Sequence, residues 1–134
     1  MNPEQGTGTG IHPKDPLARF IYSTSHFSPA KDRVKHNAFM PGPDGKTSVF
    51  RTQDLNEAAT WAIGEEIAQQ TERTLHARGD IVAEDVSKNS LTVVPSEPPP
   101  RHANIENWPA EKDAQKLRAI ELAGAAKLVT KPVE

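Results

Sequence analysis

The chain has 134 residues, of which 35% are hydrophobic and 25% are charged, and this fits one folded domain with a modest core. The absence of cysteine excludes disulfides, thiolate metal sites and a cysteine nucleophile. The sequence shows neither a signal-peptide pattern nor an apolar run long enough to span a bilayer, so we expect a cytoplasmic protein with no membrane partner.

Charge is unevenly distributed along the chain behind a net charge of −2. Residues 1–51 carry a balance of +3, whereas residues 52–134 carry a balance of −5. An excess of cations in one half of a domain can mark a face for an anionic partner, although ordinary solvated surfaces also show modest asymmetry. Both interpretations stay open from the sequence alone.

The N-terminal part is predicted to be a flexible tail followed by strands. Residues 1–17 hold few apolar side chains, and their glycines do not match the spacing of a phosphate-binding loop. Arg19–Ser25 and Thr47–Arg51 are rich in aromatic and β-branched residues, which favours a strand in each segment.

The remainder is predicted to alternate helices with short strands. A helix should run from a cap at Thr52 to Ala77 and stop at Gly79, because apolar residues recur at helical spacing. Short strands are expected at 80–83 and 91–94, around a turn at 88–89. Residues 101–108 fit either an edge strand or a structured loop, and the final helix should run from 109 to about 129.

This order of elements predicts one α+β domain over residues 18–130, with a short C-terminal tail at 131–134. Because the strands are joined by short connections, we expect a small antiparallel or mixed sheet, with the two helices packed on one side of it.

Two histidines and four basic residues are the candidate site residues. His26 and His102 are the candidate catalytic residues, because two imidazoles can serve as general base and general acid. Cationic side chains would neutralise phosphate oxygens, and the candidates for anion binding are Arg33, Lys35, Arg51 and Arg101. Alternatively, each histidine is a packing or loop residue bonded to backbone or water. Neither a metal-binding histidine spacing nor a cofactor motif occurs, so we predict no metal site and no cofactor.

Short segments resemble known sequences. His26-Phe27-Ser28 is similar to the His-x-Ser/Thr motif that two-histidine phosphoesterases carry twice, but His102-Ala103-Asn104 has Asn in place of the hydroxyl residue. Over residues 19–110 the chain also resembles small uncharacterised bacterial proteins of unknown activity. The segments that carry this resemblance are Ser25-His26-Phe27, Ala38-Phe39-Met40-Pro41, Ser48-Val49-Phe50-Arg51 and Arg101-His102-Ala103-Asn104-Ile105. The second resemblance implies a folded domain and no particular chemistry.

Two functional hypotheses follow. The leading one is a non-catalytic binding or accessory module that engages an anionic or protein partner through the basic N-terminal half, the partner being a nucleic acid, a nucleotide or an acidic protein. The alternative is a small enzyme that acts on a phosphate ester or nucleotide with the pair His26 and His102. The sequence does not indicate an oligomeric state.

Overall fold

The structure is a computed structural model that describes residues 10–132. Within those residues, eight strands and three helices follow one another along the chain. They are β1 (Pro16–Ile21), β2 (Phe27–Ser28), β3 (Arg33–Val34), β4 (Thr47–Arg51), α1 (Glu57–Thr71), β5 (Ala77–Val82), α2 (Ala83–Lys88), β6 (Thr92–Pro95), β7 (His102–Glu106), α3 (Lys112–Ala125) and β8 (Lys127–Thr130). Short 3-10 turns lie at Thr24–His26 and His36–Ala38. No helix in this part of the chain is long and apolar enough to cross a membrane.

Six of the strands form one antiparallel sheet in the order β6-β7-β4-β1-β5-β8, and β2 pairs with β3 in a separate hairpin. The α+β class, with helices packed against an antiparallel sheet, is therefore confirmed. The strand at Thr47–Arg51 has its predicted bounds. β7 lies between β6 and β4 inside the sheet, so residues 102–106 form an interior strand and not an edge or a loop.

Both faces of the sheet are covered because its central strand is apolar on both sides. In β1, Leu17 and Ile21 are fully buried on one face, and Ala18 and Phe20 are buried on the other. α1 packs on the Ala18 face, whereas α2 and α3 pack on the Leu17 face. The helices therefore cover both sides of the sheet and not one side, because a strand that is apolar on both faces must be covered on both.

The observed helices are shorter than the predicted ones, because α1 begins after a cap at Asn56 and α3 spans Lys112–Ala125. α1 ends at Thr71, because Glu72 takes a left-handed conformation (φ 55°) and its N–H bonds the carbonyls of the last turn. Gly79 is not a helix cap but a residue of β5, where an added Cβ would lie 3.0 Å from Val34 Cγ2. The side chain of Val34 therefore packs closely against the backbone of Gly79. The chain after α3 turns back as β8, which pairs with β5 at the sheet edge.

The packed part of the chain begins before residue 18. Residues 1–9 of the expected tail lie outside the described residues, but Leu17 is fully buried and Asp15 is 7% exposed. The carbonyl of Asp15 accepts a hydrogen bond from the Ala83 N–H at 2.9 Å. Residues 131–132 follow β8, and 133–134 are also outside the described residues.

Arg78 joins α1 to the sheet. This buried guanidinium donates to both carboxylate oxygens of Glu57, at 3.1 and 2.8 Å, and to Asp80 Oδ1 at 2.9 Å. It also lies over the ring of Trp61, 4.8 Å from the centroid. A buried charge needs such partners, so these contacts determine where the first turns of α1 dock.

Acid should weaken this attachment. Hydrogen bonds from Arg78 hold the pKa of Glu57 below its ordinary value of 4.5. The ion pair therefore stabilises the fold above that value, and the contribution is lost as the pH falls through the lower pKa of the folded state. We expect Glu57→Gln to be less stable than the wild type near neutral pH, with the difference in melting temperature shrinking as the pH is lowered below 4.5. Glu66→Gln, which removes an exposed carboxylate that pairs with no described cation, should show no such convergence. A Glu57→Gln deficit that stays constant with pH would contradict the assignment.

Replacing either of two helical glycines by alanine should change the free energy of unfolding, in opposite directions for the two positions. A Cβ at Gly64 in α1 would lie 2.7 Å from Phe20 Cδ1 and 2.9 Å from Leu75 Cδ2, so Gly64→Ala should lower the free energy of unfolding by about 1–3 kcal/mol. A Cβ at Gly124 in α3 would meet nothing within 4 Å, so Gly124→Ala should raise it by up to about 1 kcal/mol through helix propensity. Urea denaturation measures both. Equal effects of the two substitutions would show that α1 does not approach β1 this closely.

Candidate functional site

The candidate residues lie in two regions. The carbonyl of His26 accepts a hydrogen bond from the Lys35 N–H at 2.9 Å beside the β2–β3 hairpin, whereas His102 lies where β7 pairs with β4. His26 ends the 3-10 turn that follows β1, whereas His102 begins β7, beyond β4 in the sheet. Arg33 and Lys35 belong to the hairpin segment around β3. No hydrogen bond, ion pair or ring contact joins the two imidazoles within residues 10–132. The arrangement therefore offers no direct acid–base pair of histidines.

A cleft, which we call the basic cleft, lies between the β2–β3 hairpin and the C-terminal half of α3. Its volume is about 630 Å³. Its two walls include Arg33, Lys35, His36 and Asn37 on the hairpin side and Ile120 and Ala126 on the helix side. Two of the four predicted anion-binding residues thus meet in one cavity.

The cations of the basic cleft are exposed and unpaired. Neither Arg33 nor Lys35 makes a side-chain hydrogen bond or ion pair with any residue of the described chain. One acid, Asp32, also lines the cleft. Counting His36 as neutral, the formal charge of the lining is positive, so the cleft attracts anions.

Asn37 leaves an unused acceptor at the wall of this cleft. Its Nδ2 donates to the Ser25 carbonyl at 3.2 Å, which sets the orientation of the amide. Its Oδ1 is buried and has no hydrogen-bond partner among the described residues. A buried acceptor without a donor costs about 1–3 kcal/mol, so a donor brought by a ligand would be stabilised there.

Arg51 and Arg101 lie next to His102, at the C-terminal end of β4, where the Arg51 N–H donates to the Arg101 carbonyl at 2.9 Å. Arg101 Nη1 donates to the carbonyls of Arg51, at 3.2 Å, and Gln53, at 2.9 Å. Its backbone N–H donates to Glu97 Oε2, and its φ of 70° is left-handed. This guanidinium joins the loop before β7 to the backbone at the end of β4, and these bonds account for the residue without a ligand.

His102 is paired with Ser48, a residue that the sequence analysis did not select. Ser48 Oγ lies 2.7 Å from His102 Nε2, and His102 Nδ1 lies 2.7 Å from the carbonyl of Ser96. Because a carbonyl only accepts, Nδ1 carries a proton, and in the neutral ring Nε2 accepts the Ser48 hydroxyl proton. The order of groups is that of a nucleophile, a general base and an orienting acceptor. Both ring nitrogens also have internal partners, so the same bonds account for a structural histidine.

Arg19 is the second residue that sequence reasoning did not single out. Its Nε donates to the Ala38 carbonyl at 2.7 Å, and its Nη1 donates to the Ser48 carbonyl at 2.8 Å. Burial, with a further effect of the cation of Arg73, lowers its pKa to about 10. The available signal in the sequence was an arginine inside an otherwise apolar strand, and such a charge needs a defined set of partners.

The surroundings of His26 also shift its titration. Burial, and secondarily the charge of Arg19, lower the pKa of His26 below its ordinary value. The imidazole is therefore neutral at physiological pH and makes no side-chain hydrogen bond with residues 10–132. Over the same residues, no group of three His, Asp or Glu side chains is placed to hold a metal ion.

Comparison with known proteins identified no relative of this chain. No protein-family model, curated protein or solved structure matches the chain. The interpretation of the site therefore depends on its geometry.

The Ser48–His102 pair can be tested through the tautomer of the ring. We expect neutral His102 to carry its proton on Nδ1, because Ser96 O can only accept and Ser48 supplies a hydroxyl to Nε2. Long-range ¹H–¹⁵N correlation spectra above the pKa of histidine distinguish the two nitrogens. Ser48→Ala should shift the Nε2 resonance and leave that of His76 unchanged. A proton on Nε2 in the wild type would contradict the assigned bonds.

Proposed function

We propose that the protein is a binding module whose basic cleft takes a mononucleotide-sized anion. The observation that carries this proposal is the convergence of the unpaired cations Arg33 and Lys35 on one cleft that also has an apolar wall. Phosphate oxygens would pair with the two cations, because a guanidinium and an ammonium in partly excluded solvent form charge-assisted hydrogen bonds with phosphate.

The apolar wall favours a nucleotide over a bare anion. Ile120 is 44% exposed on α3, and Ala123 and Ala126 lie beside it in the cleft lining. A planar base laid against these side chains would remove apolar surface from water. The unpartnered Asn37 Oδ1 lies in the facing wall, on the hairpin side, and suits an N–H donor on the base after a small opening that exposes it.

The size of the cleft also favours a small ligand over a polymer. Its volume of about 630 Å³ falls in the usual range for small-molecule sites, roughly 300–1,000 Å³. A nucleic acid would use a longer row of cations, but Arg51 and Arg101 lie at a different part of the sheet. An enzyme with the pair His26 and His102 is not favoured, because each imidazole has its own separate surroundings.

The test is binding of nucleoside 5′-monophosphates to the full chain by isothermal titration calorimetry at low salt. We expect binding that weakens with added salt, and a loss of about tenfold or more in affinity for Arg33→Gln and for Lys35→Gln. Lys112→Gln is the matched control, since Lys112 is an exposed cation at the opposite end of α3. It should bind as the wild type does.

Three results would overturn this assignment. The first is no binding of any of the four common monophosphates at millimolar concentration. The second is unchanged affinity in both cleft variants, which would place the ligand elsewhere. The third is binding of a single-stranded oligonucleotide or of polyglutamate without any binding of monophosphates, which would assign the cations to a macromolecular partner.

A further inference from the structure

A second cationic cavity lies where β1 and β4 separate. The two strands pair only at Leu17 with Arg51 and at Ala18 with Phe50. Beyond that point a cavity of about 80 Å³ opens, and its lining includes Arg19, Ser48 and Arg73 together with Tyr22, Phe50 and Ile67. It is a different cavity from the basic cleft and shares no lining residue with it.

The guanidinium of Arg19 has unused donors at this cavity. Its two hydrogen bonds, to the carbonyls of Ala38 and Ser48, leave Nη2 without a partner among the described residues. No carboxylate of residues 10–132 pairs with it. This guanidinium is half-buried and has no counter-charge in the described chain, so an anion in the cavity would receive charge-assisted hydrogen bonds from it.

Arg73 adds a second cation at the same place. Its guanidinium lies 4.2 Å above the ring centroid of Tyr22, and its Nε donates to Thr71 Oγ1 at 3.0 Å. It too has no ion pair in the described chain, and the nearby acid Glu65 pairs with Lys131. Burial and, secondarily, the charge of Arg73 lower the pKa of Arg19, which agrees with two cations at one small cavity.

We infer that this cavity is a binding site for one oxyanion group, a phosphate or a carboxylate, held between the guanidinium groups of Arg19 and Arg73. The volume is that of roughly two to three water molecules at about 30 Å³ each, which suits a single such group and excludes a nucleotide. Arginine recognises both groups through paired N–H donors. The anion would supply the missing counter-charge, so its binding should stabilise the fold.

The experiment compares the melting temperature of the full chain in chloride, phosphate, sulfate and acetate at equal ionic strength. We expect an oxyanion to raise the melting temperature of the wild type above its value in chloride, in a saturable manner. Arg73→Gln, a change at an exposed side chain, should reduce the affinity about tenfold. Lys112→Gln, a change at an exposed cation that lines neither the basic cleft nor this cavity, is the control and should respond as the wild type does.

The experiment distinguishes this cavity from the basic cleft, and a phosphate ligand from a carboxylate ligand. A stronger response to phosphate and sulfate assigns a phosphate group, and a stronger response to acetate assigns a carboxylate. Side-chain ¹⁵Nε resonances of Arg19 and Arg73 should move during the titration in either case. The inference is overturned if Arg73→Gln keeps the full response, if only the basic-cleft variant Arg33→Gln loses it, or if no oxyanion differs from chloride. Failure of nucleotide binding in the basic cleft would leave it standing.

Discussion

The sheet depends on the two hydrogen bonds that Arg19 donates to backbone carbonyls. Where the ladder between β1 and β4 stops, the guanidinium bonds the carbonyl of Ser48 in β4 and that of Ala38 in the segment packed on the sheet. Buried carbonyls require donors, and no strand supplies them at this position. One side chain therefore bridges β1, β4 and the 3-10 turn at His36–Ala38, and no carboxylate of residues 10–132 pairs with its charge.

The excess of cations in the N-terminal half does not form a single surface. Arg19 lies inside the sheet, Arg33 and Lys35 line the basic cleft, and Arg51 lies on β4 beside the loop held by Arg101. The charge balance of that half is thus divided among structural bonds and two cavities. The affinity of each cavity for anions depends on which cationic side chains lack partners there, and not on the net charge of the chain.

The two histidines differ in how they are satisfied. His102 uses both nitrogens, towards Ser48 and Ser96, whereas His26 is held neutral by burial and the nearby arginine. A hydroxyl bonded to an imidazole whose other nitrogen is oriented by a carbonyl has the connectivity used in nucleophilic catalysis. Ser48 also lines the cavity where β1 and β4 separate, so this pair lies next to the cations Arg19 and Arg73.

The sequence by itself determined the elements whose signals are local. The strand at 47–51, the existence of a long central helix and a C-terminal one, and the α+β class follow from residue type and spacing over a few turns. The nearness of Arg33 and Lys35 to each other also follows from their positions two residues apart. Tertiary structure alone decided the rest: which face each helix covers, the return of the chain as β8, and the meeting of Ser48 with His102. Those features depend on contacts between segments that are distant in the chain. Strand register and the partners of buried polar groups are determined only when both segments come together.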